Sequence, residues 1–193
     1  MRFRRKIAFK DHQKRQHFDF KLQKSKSTKV AVLDFDLQGS LSQLSELVTD
    51  FDIIPFTENI AAISEMDYDF IFIDTPPYLS NHLPQLIQLA DLIIVPTKAG
   101  ILDLLAIKST LELIKQHGKS ENALVVFNMI KANTTLTLDI LIGLEEYNIP
   151  IAKTHISDLV AFTRSVLIKG VESDKNAQKQ LNKLTEEVLT KLI

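Results

Sequence analysis

Two apolar stretches that end abruptly in aspartate constrain the fold of this chain more than any other feature. Val30–Ser40 reads Val-Ala-Val-Leu-Asp-Phe-Asp-Leu-Gln-Gly-Ser, and Phe70–Pro77 reads Phe-Ile-Phe-Ile-Asp-Thr-Pro-Pro. Unbroken apolar runs are typical of parallel strands that are buried on both faces. An open α/β sheet binds its ligands in a crevice at the carboxyl ends of such strands. The two stretches therefore predict that Asp36 and Asp74 share a Mg²⁺–phosphate site.

The remainder of the chain alternates between strand-like and helix-like segments. This alternation predicts a single α/β domain, with a parallel sheet and helices on both of its faces. We predict strands at Lys6–Phe9, Val30–Phe35, Ile53–Ile54, Phe70–Ile73, Leu92–Val95, Leu124–Phe127 and Ile151–Thr154. The predicted helices are Phe18–Lys26, Leu41–Val48, Glu58–Met66, Leu83–Leu89, Leu102–Gln116, Leu136–Tyr147, Val160–Leu167 and Gln178–Leu192.

Composition narrows the class of protein. A chain of 193 residues with 45% hydrophobic and 24% charged residues is long enough for one globular core. The absence of cysteine excludes disulfides, thiol catalysis and cysteine-ligated metals. No apolar run approaches the roughly 20 residues that span a bilayer, and no apolar segment of a signal peptide follows the basic Arg2–Lys6. We expect a cytoplasmic protein that makes no membrane contact.

The charge is distributed unevenly along the chain. Residues 1–29 contain eleven Lys/Arg and two Asp/Glu, whereas residues 30–193 contain twelve Lys/Arg and twenty-two Asp/Glu. A basic amino-terminal segment is either a solvated tail or an arm that binds nucleic acid. We favour the solvated tail, because the same segment is atypical in other ways that are described below.

Asp74 is the strongest candidate ligand, and capping is its alternative role. Aspartate at a strand end can hold Mg²⁺ against the phosphates of a nucleotide. Aspartate also caps helices well, but the Thr-Pro-Pro that follows Asp74 disfavours an immediate helix, since a residue before proline avoids the α region. In the other stretch, Ser40 is a suitable cap for the predicted helix Leu41–Val48. That capping role is compatible with Asp36 as a ligand in the predicted Mg²⁺–phosphate site.

The same residues carry a family resemblance. Asp-Phe-Asp-Leu-Gln-Gly-Ser resembles the Asp-x-Asp-Pro-Gln-Gly element of ParA-type partition ATPases, and Ile-Asp-Thr-Pro-Pro resembles their Walker B strand end. The similarity continues through Ala90–Pro96 and Val125–Asn128 and extends over Val30–Ile193. It implies a P-loop-NTPase-like α/β fold of the deviant Walker A type, with a ParA-like domain at residues 30–193.

The resemblance implies roles for the residues of the first stretch. Asp36 would position or activate the attacking water and would hold Mg²⁺ together with Asp74. Gln38 would lie near the γ-phosphate, and Asp34 would support the metal site or stabilise the loop. Gly39 would let the backbone turn close to phosphate, because glycine lacks a Cβ. Leucine stands where the family commonly has the proline of this element.

Other positions are weaker candidates. Asn128 ends a predicted strand where the family often places a residue that contacts the base, and its amide can read an adenine edge; a strand cap is an equally good interpretation. Thr97 and Lys98 lie in a loop that reaches towards nucleotide and partner subunit in the family. Arg164 and Lys169 lie in a region that small ParA relatives use for DNA or dimer contacts, although a solvated face is the better interpretation of each.

The signature loop of the family, Lys-Gly-Gly-x-Gly-Lys-Thr, is missing. Residues 1–38 contain no glycine, and Lys10–Asp19 stands at the expected place. Residues 1–29 thus form an atypical basic segment where strand 1, the P-loop and helix 1 would lie. Three explanations are ranked in this order: a local sequence error over residues 10–19, a pseudo-ATPase, and non-standard phosphate binding through Lys14 and Arg15. Lys14 is the candidate remnant of the signature lysine.

The resemblance implies a function in DNA (plasmid) partition. An ATP- and Mg²⁺-bound homodimer would bind DNA non-specifically, and a centromere-binding partition protein would stimulate hydrolysis. The alternative is a non-catalytic interaction or regulatory protein on the same fold. We expect Asp36 and Asp74 on the same edge of the sheet, and we expect Lys10–Asp19 to be irregular, exposed and mobile.

Overall fold

The structure is a computed structural model that describes residues 5–9, 28–35, 51–55, 59–75, 81–131, 138–164, 171 and 174–192. The chain divides into two compact units, Met1–Ile93 and Ile94–Ile193. The predicted α/β class is confirmed, because strands alternate with helices through the described ranges. The predicted helices Phe18–Lys26 and Leu41–Val48 lie outside the described residues, and so does the segment Lys10–Asp19.

The first unit is built on a parallel sheet. Its strands lie in the order β3–β2–β4–β1, and the β3–β2, β2–β4 and β4–β1 pairs are all parallel. Strand bounds are Arg5–Phe9 for β1, Val30–Asp34 for β2, Asp52–Pro55 for β3 and Phe70–Asp74 for β4. A 3₁₀ helix spans Ile60–Glu65, where a longer helix was predicted, and helix α1 spans Leu83–Leu89 as predicted.

Burial explains why β2 and β4 are apolar up to the aspartate that ends each strand. Every residue of β2 is buried, and β4 is buried from its second residue onward. Because alternate side chains of a strand point to opposite faces, this continuous burial means that both faces of the sheet are covered along these strands, as in a parallel sheet. Strand β3 has a neighbour only at β2 within this unit, and its residues are exposed or half-buried.

Polar contacts tie together the amino ends of these strands. The Lys29 backbone amide donates to Asp69 Oδ2 at 2.8 Å, and Lys29 Nζ lies 2.6 Å from Asp67 Oδ2. The Tyr68 hydroxyl donates to Asp52 Oδ2 at 2.8 Å. Burial, followed by this hydrogen bond and the nearby carboxylate charges, raises the pKa of Tyr68. These contacts link the starts of β2, β3 and β4 and so favour a single register.

The second unit contains the carboxyl-terminal elements. Strand β5 (Leu92–Thr97) begins two residues before the boundary between the units, and β6 (Ala123–Phe127) lies beside it. Helix bounds are Ile101–Gln116 for α2, Leu138–Glu145 for α3, Val160–Arg164 for α4 and Lys175–Leu192 for α5, with a 3₁₀ helix at Ser120–Asn122. Gly118 follows α2 with φ 67°, a left-handed conformation that favours glycine at a helix end.

The predicted strand Ile151–Thr154 was wrong. Ile151 forms only an isolated bridge with Val125, although Ala152 N also donates to the Val125 carbonyl at 2.8 Å. The next residue leaves the ladder, because the Lys153 amide donates to Glu187 Oε2 on α5 at 2.8 Å. A side chain from a distant helix therefore replaces the strand partner that the apolar pattern had suggested.

Helix α5 packs through a single apolar stripe. The buried residues are Ala177, Leu181, Leu184, Thr185, Val188 and Leu192. The helix begins three residues before the predicted Gln178 because Asp174 Oδ1 accepts from the amides of Asn176 and Ala177, at 2.9 and 3.0 Å. Within the described ranges, no helix combines the length and apolar character needed to cross a bilayer.

Candidate functional site

Two buried carboxylates stand at the carboxyl edge of the sheet in the first unit. Asp34 ends β2 and Asp74 ends β4, and the two residues are register partners. Each is only 1% exposed. Side chains of register partners on neighbouring strands project on the same side of a sheet. The fold therefore brings together two acidic groups that lie 40 residues apart in the chain.

The backbone around these aspartates extends the pairing beyond the strands. The Phe35 amide donates to the Asp74 carbonyl at 2.9 Å, and Thr75, directly after Asp74, is 5% exposed. On the other side of β4, Phe9 is the register partner of Asp74. Strands β1, β2 and β4 thus end at one level. Lys10, where the expected phosphate loop would begin, follows directly in the chain.

Several predicted site residues lie outside the described residues. They are Lys14, Asp36, Gln38 and Gly39. Asp36 is the second residue after Asp34 and follows directly on the last described residue of its segment, Phe35. The prediction that Asp36 and Asp74 share an edge stays a prediction. Among the described residues, Asp34 and Asp74 are the aspartates that meet there.

The donor set of this edge fits a hard divalent cation. Carboxylate oxygens are the ligands that Mg²⁺ prefers, and Mg²⁺ commonly binds through one or two carboxylates plus water and phosphate. Burial of carboxylates is expensive unless a cation or hydrogen bonds compensate it. Among residues that the structure describes, no group of three or more His, Cys, Asp or Glu could hold a metal. Asp34 and Asp74 would therefore supply only part of a coordination shell.

The second unit has a buried polar residue, Asn128, at the end of a strand. Asn128 follows β6, is 2% exposed, and its backbone amide donates to the Thr97 carbonyl at 2.8 Å. Its side-chain nitrogen Nδ2 is buried with no hydrogen-bond partner in the described part of the chain. A buried donor without a partner costs about 1–3 kcal/mol. An acceptor atom of a ligand would remove that cost.

The backbone next to Asn128 has an unusual conformation at Met129 and is hydrogen-bonded to the segment around Ile156. Met129 has φ 52°, a left-handed conformation that non-glycine residues seldom adopt and that is common at functional sites. Ile156 N donates to the Phe127 carbonyl at 2.9 Å, and Ile130 N donates to the Ile156 carbonyl at 3.0 Å. The segment around Ile156 therefore pairs with the chain on both sides of Asn128. Nothing in the amino-acid pattern of these residues indicated this arrangement.

The weaker candidates are placed as follows. Thr97 is buried, and its hydroxyl donates to the Lys98 carbonyl at 3.2 Å, so this hydroxyl is already engaged. Lys98 is exposed. Arg164 is the last residue of α4, while its side chain and Lys169 lie outside the described residues.

Comparison with known proteins agrees with this architecture. The model of the AAA domain family matches residues 23–127, more than half of the chain. The maintenance of carboxysome distribution protein A of Halothiobacillus neapolitanus is 24% identical over an alignment 137 residues long. The alignment covers 66% of this chain and 63% of that protein. The chain thus spans less than two thirds of the length of this curated relative.

Solved structures share the fold. A ParA family ATPase from Chlorobium tepidum superposes with a TM-score of 0.67 at 17% identity, covering 98% of this chain and 99% of that one. A McdA variant from Cyanothece, in complex with ATP, gives a TM-score of 0.68 at 16% identity, covering 100% and 97%. The fold is that of the ParA and MinD class of P-loop proteins. The chain belongs to the AAA domain family, and its fold is similar to that of ParA family ATPases.

Proposed function

We propose that this protein is a cytoplasmic ParA-like partition protein, of a lineage whose function is DNA (plasmid) segregation through nucleotide-controlled dimerisation and DNA binding, and that the chain with its present sequence is deficient in ATP turnover. The observation that carries the proposal is the register pairing of the buried Asp34 and Asp74 at the ends of two parallel strands. Two carboxylates so placed suit a Mg²⁺–phosphate ligand. Membership in the ParA-type lineage supports the same reading.

In the proposed site, Asp36 and Asp74 would hold Mg²⁺, and Asp34 would support the metal site or stabilise the loop. When bound, Mg²⁺ neutralises charge on the β- and γ-phosphates. Asp36 positions the attacking water. Gln38 would lie near the γ-phosphate, Gly39 would let the backbone turn close to phosphate, and Lys14 would substitute for the signature lysine. The ATP complex of the Cyanothece McdA variant shows that a protein of this fold takes up this nucleotide.

Asn128 is proposed as a contact for the adenine base. Its Nδ2 donor is buried at the end of a strand and has no hydrogen-bond partner among the described residues. An adenine edge offers ring-nitrogen acceptors to such a donor. Replacing Asn128 with Asp removes the donor at nearly constant volume. It should weaken binding of a fluorescent adenine nucleotide more than binding of inorganic triphosphate, whereas equal losses would contradict the role.

The alternative function is that of a non-catalytic interaction or regulatory subunit on the same fold. The observation in its favour is the complete absence of glycine from residues 1–38, since backbone amides surround phosphate only where glycines let the chain turn tightly. In this alternative, the protein would still form a homodimer or bind a partner, but a nucleotide would not control that binding. Sequencing the coding region for residues 5–29 would show whether the gene encodes a glycine-rich loop that the present sequence lacks.

The proposed function is tested by restoring the loop. A variant with Lys-Gly-Gly-x-Gly-Lys-Thr between Phe9 and Phe20 should form a homodimer only with ATP and Mg²⁺, as measured by analytical ultracentrifugation. The same variant carrying Asp74→Asn should remain monomeric. In the restored background, Asp36→Ala should lower turnover more than ATP binding, because a residue that positions water acts mainly in the transition state. A restored variant that ignores ATP would contradict the lineage function.

Binding partners follow from the same proposal. The homodimer would engage DNA without sequence preference, and a centromere-binding partition protein would stimulate ATP turnover. Addition of that protein to the restored variant should raise the turnover rate, as measured by phosphate release. No stimulation by any DNA-bound partner would favour the non-catalytic alternative.

A further inference from the structure

A glutamine of α5 pairs with the backbone of the extended segment around Ser157. Successive amides of an extended chain point alternately to its two sides. The Ile156 amide points towards β6 and donates to the Phe127 carbonyl at 2.9 Å. The Ser157 amide points the other way and donates to Gln180 Oε1 at 2.8 Å. Gln180 therefore takes the place that a neighbouring strand would have at Ser157.

Gln180 binds both polar groups of Ser157. Its Oε1 accepts from the backbone amide, and its Nε2 donates to Ser157 Oγ at 2.9 Å. Two hydrogen bonds from one planar amide to one residue fix the orientation of that residue as well as its distance. Gln180 is half-buried and belongs to a helix that packs through its own apolar stripe. The packing of α5 thus sets the position of Ser157.

The segment around Ser157 in turn holds the chain that follows Asn128. Ser157 is the parallel bridge partner of Ile130. The Ile130 amide donates to the Ile156 carbonyl at 3.0 Å, and the Asp158 amide donates to the Ile130 carbonyl at 2.9 Å. Because Ile156 also bonds to β6 before Asn128, this short segment contacts the backbone on both sides of that residue.

The conformation between these bonds is one that the chain does not favour by itself. Met129 has φ 52°, and a left-handed residue other than glycine persists only where the surrounding structure imposes it. Asn128 directly precedes it, is buried, and has an Nδ2 donor with no partner among the described residues. If the turn relaxed, the direction of the Asn128 side chain would change. The direction of this donor therefore depends on hydrogen bonds that end at Gln180.

We propose that Gln180 is a positioning residue for the nucleotide base, because it fixes Ser157 and so the left-handed turn that presents Asn128. The inference rests on the proposed function in taking Asn128 as the base contact. It goes further by assigning the orientation of that contact to a side chain of α5. Gln180 acts through Ser157 and makes no contact with the phosphates in this proposal. Its loss should therefore weaken binding of the base and spare binding of the phosphates.

The first test uses the full chain with its present sequence and no nucleotide. Amide hydrogen exchange is measured by NMR for wild type, Gln180→Ala and Gln178→Ala. In Gln180→Ala, the amides of Ile130 and Asp158 should exchange on the order of tenfold faster, since two hydrogen bonds that hold the segment are lost. Gln178 is the matched control, a half-buried glutamine of the same helix, and its replacement should leave both rates unchanged. Equal acceleration along all of β6 would overturn the proposal.

The second test uses the variant with the restored Lys-Gly-Gly-x-Gly-Lys-Thr loop. Isothermal titration calorimetry measures its affinity for ATP and for inorganic triphosphate. Gln180→Ala should weaken ATP binding on the order of tenfold and leave triphosphate binding unchanged. Gln180→Glu should restore ATP binding, because a carboxylate accepts from both the amide and the hydroxyl of Ser157. Ser157→Ala removes only the hydroxyl contact, and it should cause a smaller loss in the same direction even if Gln180→Ala does not fold.

A double substitution tests whether Gln180 acts through Asn128. In the restored variant that already carries Asn128→Asp, the further change Gln180→Ala should have no effect on ATP affinity. Two residues that act independently would give losses that multiply, because their free energies add. Multiplying losses would overturn the proposal and would show that Gln180 affects the protein by another route.

The outcomes separate this inference from the proposed function. If Asn128→Asp weakens ATP binding selectively while Gln180→Ala changes neither ligand, or both equally, the role of Gln180 is wrong and the base contact stands. Unchanged hydrogen exchange at Ile130 in Gln180→Ala would also overturn the inference alone. If the restored variant binds ATP no more tightly than inorganic triphosphate, the proposed base contact fails and the inference fails with it.

Discussion

Asp34 and Asp74 concentrate negative charge at register positions of neighbouring strands. Like charges placed directly opposite each other across a strand pair repel, and burial strengthens the repulsion because the protein interior screens charge less than water. A cation bound beside the two carboxylates would offset this repulsion. This expectation can be tested on the single residues.

Mg²⁺ should stabilise the wild-type protein, and Asp74→Asn should abolish that effect. At a Mg²⁺ concentration about five times the Kd, bound cation adds about 1 kcal/mol, which raises the Tm of a chain of this size by roughly 2–4 °C. Differential scanning fluorimetry with and without Mg²⁺ measures the shift. Asp52→Asn is the control, since Asp52 stands at the amino end of the same sheet. An equal shift in all three proteins would refute the cation site.

Tyr147 should make stability fall in strongly alkaline solution. It is 4% exposed, and burial, followed by interactions with Glu146, raises its pKa from 10.0 to about 12. A raised folded-state pKa means that the folded protein holds the proton more tightly, so the stabilisation is complete below pH 10 and declines towards pH 12. Urea unfolding at pH 9 and pH 11 should show a smaller decline for Tyr147→Phe than for wild type. Parallel declines would contradict this role.

At the scale of elements, two polar side chains of α5 form hydrogen bonds with the segment of residues 153–157. Gln180 Oε1 accepts from the Ser157 amide at 2.8 Å, and Gln180 Nε2 donates to Ser157 Oγ at 2.9 Å. Glu187 accepts from Lys153 and Thr154. These contacts explain why the chain leaves the β6 ladder after Ala152.

Glu187→Ala should destabilise the protein, and Glu186→Ala should not. Glu187 accepts two hydrogen bonds with a charged carboxylate, and bonds to charged groups contribute about 1.5–3 kcal/mol each before solvent exposure reduces them. We expect a loss of about 1–2 kcal/mol in the free energy of unfolding measured with urea. Glu186 is exposed on the same helix, and its replacement should stay within about 0.5 kcal/mol. Equal effects would show that the contacts to Glu187 contribute nothing.

At the scale of the whole molecule, the fold and the phosphate-binding chemistry are separable. The strands around Asp34 and Asp74 are held by their own parallel neighbours and by the contacts at their amino ends. None of these interactions uses a glycine-rich loop. A chain can therefore have the fold of a ParA-type protein while it lacks the sequence that surrounds the phosphates.

The chain with its present sequence should bind ATP weakly. Its residues 1–38 contain no glycine, and no Lys-Ser or Lys-Thr pair stands where the loop would meet the first helix, so the backbone amides and hydroxyl that hold phosphate and Mg²⁺ are missing. Isothermal titration calorimetry with ATP and Mg²⁺ should show no binding in the micromolar range. Micromolar binding would contradict this expectation and would favour non-standard phosphate binding through Lys14 and Arg15.

The sequence by itself determined the elements whose physics is local. The apolar runs that end at Asp34 and Asp74 predicted β2 and β4, and helical spacing predicted Leu83–Leu89 to the residue and α2 to within one residue. These predictions succeeded because side-chain periodicity reports directly which faces are buried. The catalytic candidate Asp36 followed from the family resemblance, and its position stays a prediction.

Tertiary structure alone decided which residues meet. The partner of Asp74 in the described sheet is Asp34, because register is set by the pairing of whole strands and the acidic residues by themselves do not specify it. Ile151–Thr154 has a strand-like pattern, yet the Lys153 amide in this segment donates to Glu187, more than 30 residues away, and not to a neighbouring strand. The left-handed Met129 has no local signal either, since the surrounding contacts impose it. Such outcomes depend on long-range contacts, and no window of the sequence contains both partners.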